Sequence, residues 1–407
     1  MNILLLGNGF DLYHKLPTRY DNFLHTIDFL VKNYKPEMKT IADVFGDSRI
    51  QKEDAFIYEC YLKHKEVYEK IALEESDIEE IKSVAKENLW FSYLIRIFDN
   101  KLGWIDLEKE IDYVLKTFEI FLKSLGVAIR FNDLNDSQYY VVEKFDFFSE
   151  PYHSGIIGGP TKKLKSDYVL EYPLGSGVKV ANKEKIILRL LEDLNDFAKL
   201  LKKYLYVFIE TALFGIKEKS LDRCPAITHI DKAITFNYTN SYECFYFNNP
   251  IFHIHGSVNN KIILGINPDE NDQIETIDTS FVKFKKYFQR TQYDTDSSYI
   301  NWLKEIKEPK QFASLMVMGH SLDVTDKDII LELFDRMDEI IILYHSDEAK
   351  NTYILNLINM YGKEGLDVLR KQKRLTFLSL DMDFSEIVKK RSESSFEGIF
   401  KSWVTAI

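Results

Sequence analysis

The chain has 407 residues and a formal net charge of −11, with 45% hydrophobic and 29% charged residues. That length and balance exclude a disordered or fibrous chain and leave room for a large buried core. The negative charge argues against sequence-independent nucleic-acid binding over a broad surface, because such binding needs clustered Lys and Arg. Cys60, Cys224 and Cys244 lie far apart, with no C-x-x-C pair, so they read as free thiols.

The chain opens on an apolar run, Ile3 to Leu6, too short for the core of a signal peptide. With no stretch of membrane-spanning length, a cytoplasmic protein with no membrane partner is expected. Residues 2 to 7 read as a buried strand, and Gly7-Asn8-Gly9 as the tight turn after it. Pro17-Thr18 announces a helix capped by Thr18, with Tyr20, Phe23, Leu24, Ile27 and Leu30 at helical spacing. Residues 46 to 224 then predict a mainly helical insertion. Helices are expected near 53–73, 76–99 and 105–125, and the longest from Lys183 to Leu213. Between them, 131–180 lacks a period. It holds Gly155 to Pro160 and Pro173 to Gly177, and predicts a loop or small hairpin.

After residue 225 strand signals return at Ala233–Phe236, Ile251–Ile254, Lys261–Leu264, Leu315–Met318, Ile340–Leu343 and Arg374–Leu378. Helical patterns at 327–337 and 348–371 separate the later ones. This alternation predicts an α/β core, built from 1–45 and 225–407, with a mostly parallel sheet that the first strand joins across the insertion.

Four motifs fall where strands should end, which is where such a sheet builds its site. Gly7-Asn8-Gly9-Phe10-Asp11 is a partial glycine-rich turn without the third glycine of a dinucleotide fingerprint, or else a structural turn between strand and helix. Asn237, after Ile234-Thr235-Phe236, offers a donor and an acceptor to a ribose hydroxyl or a water, or caps a turn. His255, in His253-Ile254-His255-Gly256, is a candidate base, or a structural histidine. His253 shares its strand face, but no carboxylate or cysteine motif completes a metal site, so no metal is expected. Finally, Met318-Gly319-His320-Ser321-Leu322-Asp323 follows a strand, and Asp323 and Asp326 read as caps of the next helix.

The spacing from Gly9 to Pro17, the asparagine of FNYT, the histidine of IHG and the Gly319-His320-Ser321-Leu322 segment resemble the sirtuin core. In the order GNGFD, NLW, GWIDLE, FNYT, IHGS, KKYFQR and GHSLD, the chain resembles the bacteriophage abortive-infection family AbiH from Leu4 to about His345. The resemblance implies a sirtuin-like Rossmann-type fold and a small-molecule nucleotide, NAD, as substrate. Gly7, Asn8, Gly9, Phe10, Asp11, Pro17, Thr18, Gly319 and Ser321 would hold it, with the N–H groups around Gly9 and Phe10 facing the pyrophosphate. Asn237 would orient the ribose or a water and His255 would act as base, releasing nicotinamide from ADP-ribose.

Departures from sirtuins accompany the likeness. The zinc cysteines are missing, so deacylation is not expected, and Asp11 stands where a serine is usual. Trp90 reads as a packing residue, and packing is the plain alternative for Trp104. Asp106 and Glu108, two apart on one helix, predict at most one carboxylate in the cleft, while Lys286 and Arg290 predict either a phosphate contact or a solvated face. A homo-oligomer and an unidentified phage trigger are the partners implied. Two other functions stay open: a module that senses NAD or ADP-ribose without turnover, and a metal-dependent nuclease or RNA-directed toxin on the same scaffold.

Overall fold

The computed structural model describes residues 1–100, 106–124, 134–148, 164–171, 175, 179–227, 230–246, 251–266, 281–295, 298–305 and 312–382. Its strands are β1 (Asn2–Leu6), β2 (Val169–Glu171), β3 (Lys179–Ala181), β4 (Lys232–Thr235), β5 (Ile251–His253), β6 (Ser314–Met318), β7 (Glu339–Tyr344) and β8 (Leu375–Ser379). β2 and β3 pair as a separate antiparallel hairpin. The other six form one parallel sheet in the order β5-β4-β1-β6-β7-β8. Renumbered within the sheet alone, this is the doubly wound order 3-2-1-4-5-6, whose direction of winding reverses between β1 and β6.

The alternation of side chains explains why these strands read as continuous apolar runs. Ile3, Leu5, Leu315, Val317, Ile340 and Ile342 face Ile329, Leu333, Phe334 and Leu357 on one side. Leu4, Leu6, Met316, Met318, Ile341 and Leu343 face Phe10, Ile227 and Tyr242 on the other. A strand buried on both faces has no polar side to show.

Register places the motifs together. Leu6 pairs with Thr235 on one side and Met318 on the other, Thr235 with His253, and Met318 with Leu343. The residues that follow these partners therefore leave the sheet at one level.

The insertion between β1 and β4 is helical, as expected, with several differences in detail. Its apolar cluster begins at Leu16 and runs through Phe23, Leu24, Ile27 and Leu30, so the Tyr20–Asn33 helix packs with the insertion rather than on the sheet. The helix expected over 76–99 is two, Glu75–Glu87 and Leu89–Asn100. Asn88 breaks it by accepting from the Phe91 N–H and donating to the Asp193 carbonyl. The longest helix continues past Tyr204 through a π-helical turn, Leu205–Glu210, into Thr211–Lys219. Within 131–180 there is a helix, Asp136–Lys144, besides the β2–β3 hairpin; the Gly155 to Pro160 turn and Trp104 lie outside the described residues.

Lys261–Leu264 is not a strand. The Ile263 N–H bonds the His255 carbonyl and Leu264 is held on both sides by the Gln289 side chain, so its backbone is satisfied without a ladder. Trp90 is fully buried, its indole N–H on the Leu190 carbonyl, which makes it a packing residue. Among the described residues no helix is long and apolar enough to cross a membrane.

Candidate active site

A cavity of about 840 Å³ opens at the C-terminal ends of β1, β4 and β6, beneath the insertion. Gly7, Asn8, Gly9, Asp11, Thr18, Asn237, His255, Gly319 and Ser321 all line it. Phe10 and Pro17 do not: the Phe10 ring is buried against His14, Tyr242 and Tyr246, and the Pro17 carbonyl accepts from the Tyr204 hydroxyl.

The expected tight turn is instead the start of a short helix, Asn8–Tyr13, with Gly7 at its N-cap. The Gly7 N–H donates to the Met318 carbonyl, Gly9 to Gly319, and Phe10 to Gly7, at 3.1, 2.8 and 2.9 Å. The donors expected to face a pyrophosphate are thus spent on the protein. The glycines have a steric cause instead. A Cβ on Gly9 would stand 2.6 Å from Gly319 Cα, and one on Gly319, at a φ of 72°, would stand 2.2 Å from Phe10 N. These two turns touch backbone to backbone where the sheet reverses.

Asp11 is buried and accepts from the hydroxyls of Thr239, at 2.8 Å, and Ser241, at 2.5 Å. Burial pushes its pKa up to about 7 against those bonds. It therefore ties the first turn to the loop after β4. Thr18 is not the cap of the next helix, which starts one residue later with Arg19 at the N-cap; its hydroxyl donates to the Asn8 side chain at 2.6 Å.

The chemically open part of the cavity follows β4 and β5. Asn237 is 7% exposed, and its amide Nδ2 has no partner among the described residues. A buried donor left unpaired is costly unless something else meets it. His255 Nε2 lies 3.1 Å from Asp326 Oδ1, close enough for an ion pair but off the line of a hydrogen bond. Burial and then the Lys286 ammonium push the His255 pKa down to about 4, leaving it neutral at pH 7. His320 accepts the Leu322 N–H at Nδ1, so its proton sits on Nε2, 3.5 Å from Asp326 Oδ2. The Phe236 ring packs edge-on against His255 and 4.2 Å from His320. His253 turns away to Glu243, at 2.7 Å. Among the described residues, no group of three or more His, Cys, Asp or Glu is placed to hold a metal.

Sequence reasoning missed the centre of this arrangement. Asp326 occupies the N-cap position of the Lys327–Arg336 helix but makes no side-chain cap bond; Asp323, expected to cap that helix, caps the short turn before it instead, through the Thr325 N–H. The Asp326 carboxylate instead meets Lys286 at 3.2 Å as well as the two histidines. Lys286, fully buried, is neither on a solvated face nor in the cavity wall; it also meets Glu108 at 2.7 Å. Arg290 pairs with Asp328 instead of lining the cavity. Burial works against the Asp326 charge, but Lys286 and His255 outweigh it and hold the carboxyl well below the usual range. Burial pushes Glu108 up to about 7 against the pull of Lys286.

Asp106 and Glu108 both line the cavity, contrary to expectation. Asp106 precedes the helix that starts at Leu107, so helical spacing does not separate the two. Lys109 then bridges Asp106 and Asp323, at 2.7 and 3.1 Å. The insertion is thereby fastened across the cavity to the sheet domain by two lysines.

Residues 3–345 match the profile of the family described as Bacteriophage abortive infection AbiH. The chain belongs to the AbiH family. The match takes in β1 through β7 together with the insertion, and so most of the cavity lining, though Ala349, Thr352, Tyr353 and Leu380 lie beyond it. The family's description connects this AbiH chain to abortive infection by bacteriophage. No curated protein and no solved structure matches the chain.

Proposed function

We propose that this AbiH chain acts in phage defence by hydrolysing the N-glycosidic bond of NAD, on a core of sirtuin type. The observation that carries this reading is the unpaired, buried Asn237 amide in the wall of a cavity at the sheet's reversal point, with the His255–Asp326 pair in the same wall. Doubly wound sheets bind nucleotides at that crevice.

The reaction needs few groups. The bond from C1′ to the nicotinamide nitrogen breaks with its electron pair going to nitrogen, so nicotinamide leaves neutral. A water oxygen bonds C1′, and one water proton is released. Asn237 Nδ2 donates to a ribose hydroxyl and holds the sugar as positive charge develops at C1′. His255, neutral, accepts the hydrogen bond of the attacking water, and Asp326 stabilises the imidazolium that forms. A base with so low a pKa also supports a second reading, a site that retains NAD or ADP-ribose without turnover.

Nicotinamide release from NAD separates the two. Asn237→Ala is expected to lower kcat about a hundredfold, as loss of one pre-oriented donor does, and His255→Ala by a comparable factor. Undiminished release in both variants would sink the mechanism, and tight binding of ADP-ribose without release by the native chain would establish the sensing reading.

A further inference from the structure

With the Gly9 and Phe10 N–H groups committed to Gly319 and Gly7, something else must meet the charge of a nucleotide's phosphates. The cavity wall carries five carboxylates, Asp11, Asp106, Glu108, Asp323 and Asp326. Against them the lining residues include Lys or Arg at two positions, Lys15 and Arg19. An anion entering this cavity has those two cations to go to.

The two are brought to one ring. Arg19 Cζ lies 4.5 Å and Lys15 Nζ 5.4 Å from the centre of Phe56, itself in the cavity wall and carried by the Ala55–Tyr68 helix of the insertion. Lys15 sits at a φ of 55°, where the chain folds back and the Leu16 N–H returns to the Asp11 carbonyl. Its ammonium meets Glu59 at 2.8 Å, with both side chains well exposed, a pair of little strength that an incoming anion can displace. The Arg19 guanidinium makes no hydrogen bond or close ion pair to a carboxylate or carbonyl among the described residues, although it lines a cavity rich in acids and acts at a distance on the charge of its neighbour Asp21. A guanidinium resting on an aromatic ring keeps its N–H edges for a phosphate, to which it donates two bonds at once.

We propose that Lys15 and Arg19 form the phosphate-binding end of the cavity, taking a nucleoside diphosphate group in the place expected of the glycine turn. The identity of the ligand as NAD rests on the reading above; the diphosphate chemistry does not. A purely structural Arg19, stapling the Ala55–Tyr68 helix to the first turn through Phe56, would leave ligand selectivity unchanged.

The test is binding of ADP-ribose, inorganic pyrophosphate and adenosine by calorimetry at low and high salt, together with nicotinamide release from NAD and from nicotinamide riboside. Arg19→Ala is expected to weaken ADP-ribose about tenfold and Lys15→Ala less. Both should flatten the salt dependence and leave adenosine within twofold. Arg19→Lys, which keeps the charge without the fork, should fall between. If the native chain hydrolyses NAD, KM for NAD should rise in Arg19→Ala while kcat/KM for nicotinamide riboside holds. Unchanged ADP-ribose affinity in the double Ala variant, or adenosine weakened in step with ADP-ribose, overturns the proposal. So does a native chain that binds neither ADP-ribose nor pyrophosphate. A native chain that binds ADP-ribose through Arg19 yet releases no nicotinamide leaves the phosphate site standing and removes only the hydrolase reading.

Discussion

Two regions of the cavity wall invite opposite readings, and the structure exchanges them. The turn after β1, Gly7-Asn8-Gly9, has the composition of a phosphate cradle, yet its bonds close on the turn after β6 and its glycines answer to backbone contact. The segment after β4, Phe236-Asn237, has the composition of an ordinary turn, yet it holds the unpaired amide. A glycine whose Cβ would meet backbone is explained by packing alone. A buried donor without a partner in the wall of a cavity calls for a water or a ligand there.

The sharpest way to break that contrast is at the contact itself. Gly319→Ala sets a Cβ 2.2 Å from Phe10 N at a positive φ, so the two turns must part. We expect a loss of at least about 4 kcal/mol in denaturant unfolding, the overlap and the strained backbone acting together. A variant with native stability would mean that the turn is not closed as described.

Next in size is the charged cluster joining the sheet domain to the insertion. Lys286→Met leaves the Asp326 and Glu108 carboxylates buried without their shared cation. The cost should be about 3 kcal/mol, at the low end for a broken buried pair because Glu108, pushed up to about 7, can take a proton. Adding Glu108→Gln should recover part of the loss. An additive double variant would show that the lysine and Glu108 do not act together.

The smallest effect concerns Asp11. Its folded pKa is raised by burial, so the stability it contributes is full below the unfolded value near 4 and is lost as pH rises through about 7. From pH 5 to pH 7 this one group should remove about 2 kcal/mol. His14 and His64, both pushed down to about 4 by burial, act in the opposite sense over the lower part of the range. The measurement is therefore the difference in melting temperature between the native chain and Asp11→Asn at each pH. That difference should shift in favour of the variant between pH 5 and 7; a constant difference would show Asp11 ionised throughout.

Much of the fold was legible because the sheet is buried on both faces. Seven apolar runs stood out as strands, and the six that form the sheet agree with the expected positions within a residue or two, as Ser314–Met318 does. Lys261–Leu264 was misread for the same reason: an apolar run looks alike whether its backbone pairs with a strand or with a glutamine side chain. Asn237, His255, Gly319 and Ser321 come together in the cavity wall because each follows a strand, and strand ends share one level. Lys286 and Asp326 were misjudged because a lysine four residues from an arginine, and an aspartate before a helix, have ordinary surface explanations. Arg19 gave no signal at all, since its role depends on Phe56, 37 positions away in the chain.

The sequence by itself determined the strand and helix periods, the long helical insertion between β1 and β4, and the family to which the chain belongs. Local pattern and ordered short motifs suffice for those. Only the tertiary structure decided which N–H groups are spent, which carboxylates share Lys286, and which cations face the cavity. The first two turn on contacts of 2.5 to 3.2 Å and the third on ring contacts of 4.5 and 5.4 Å to Phe56, between residues far apart in the chain, and no local pattern records where such partners meet.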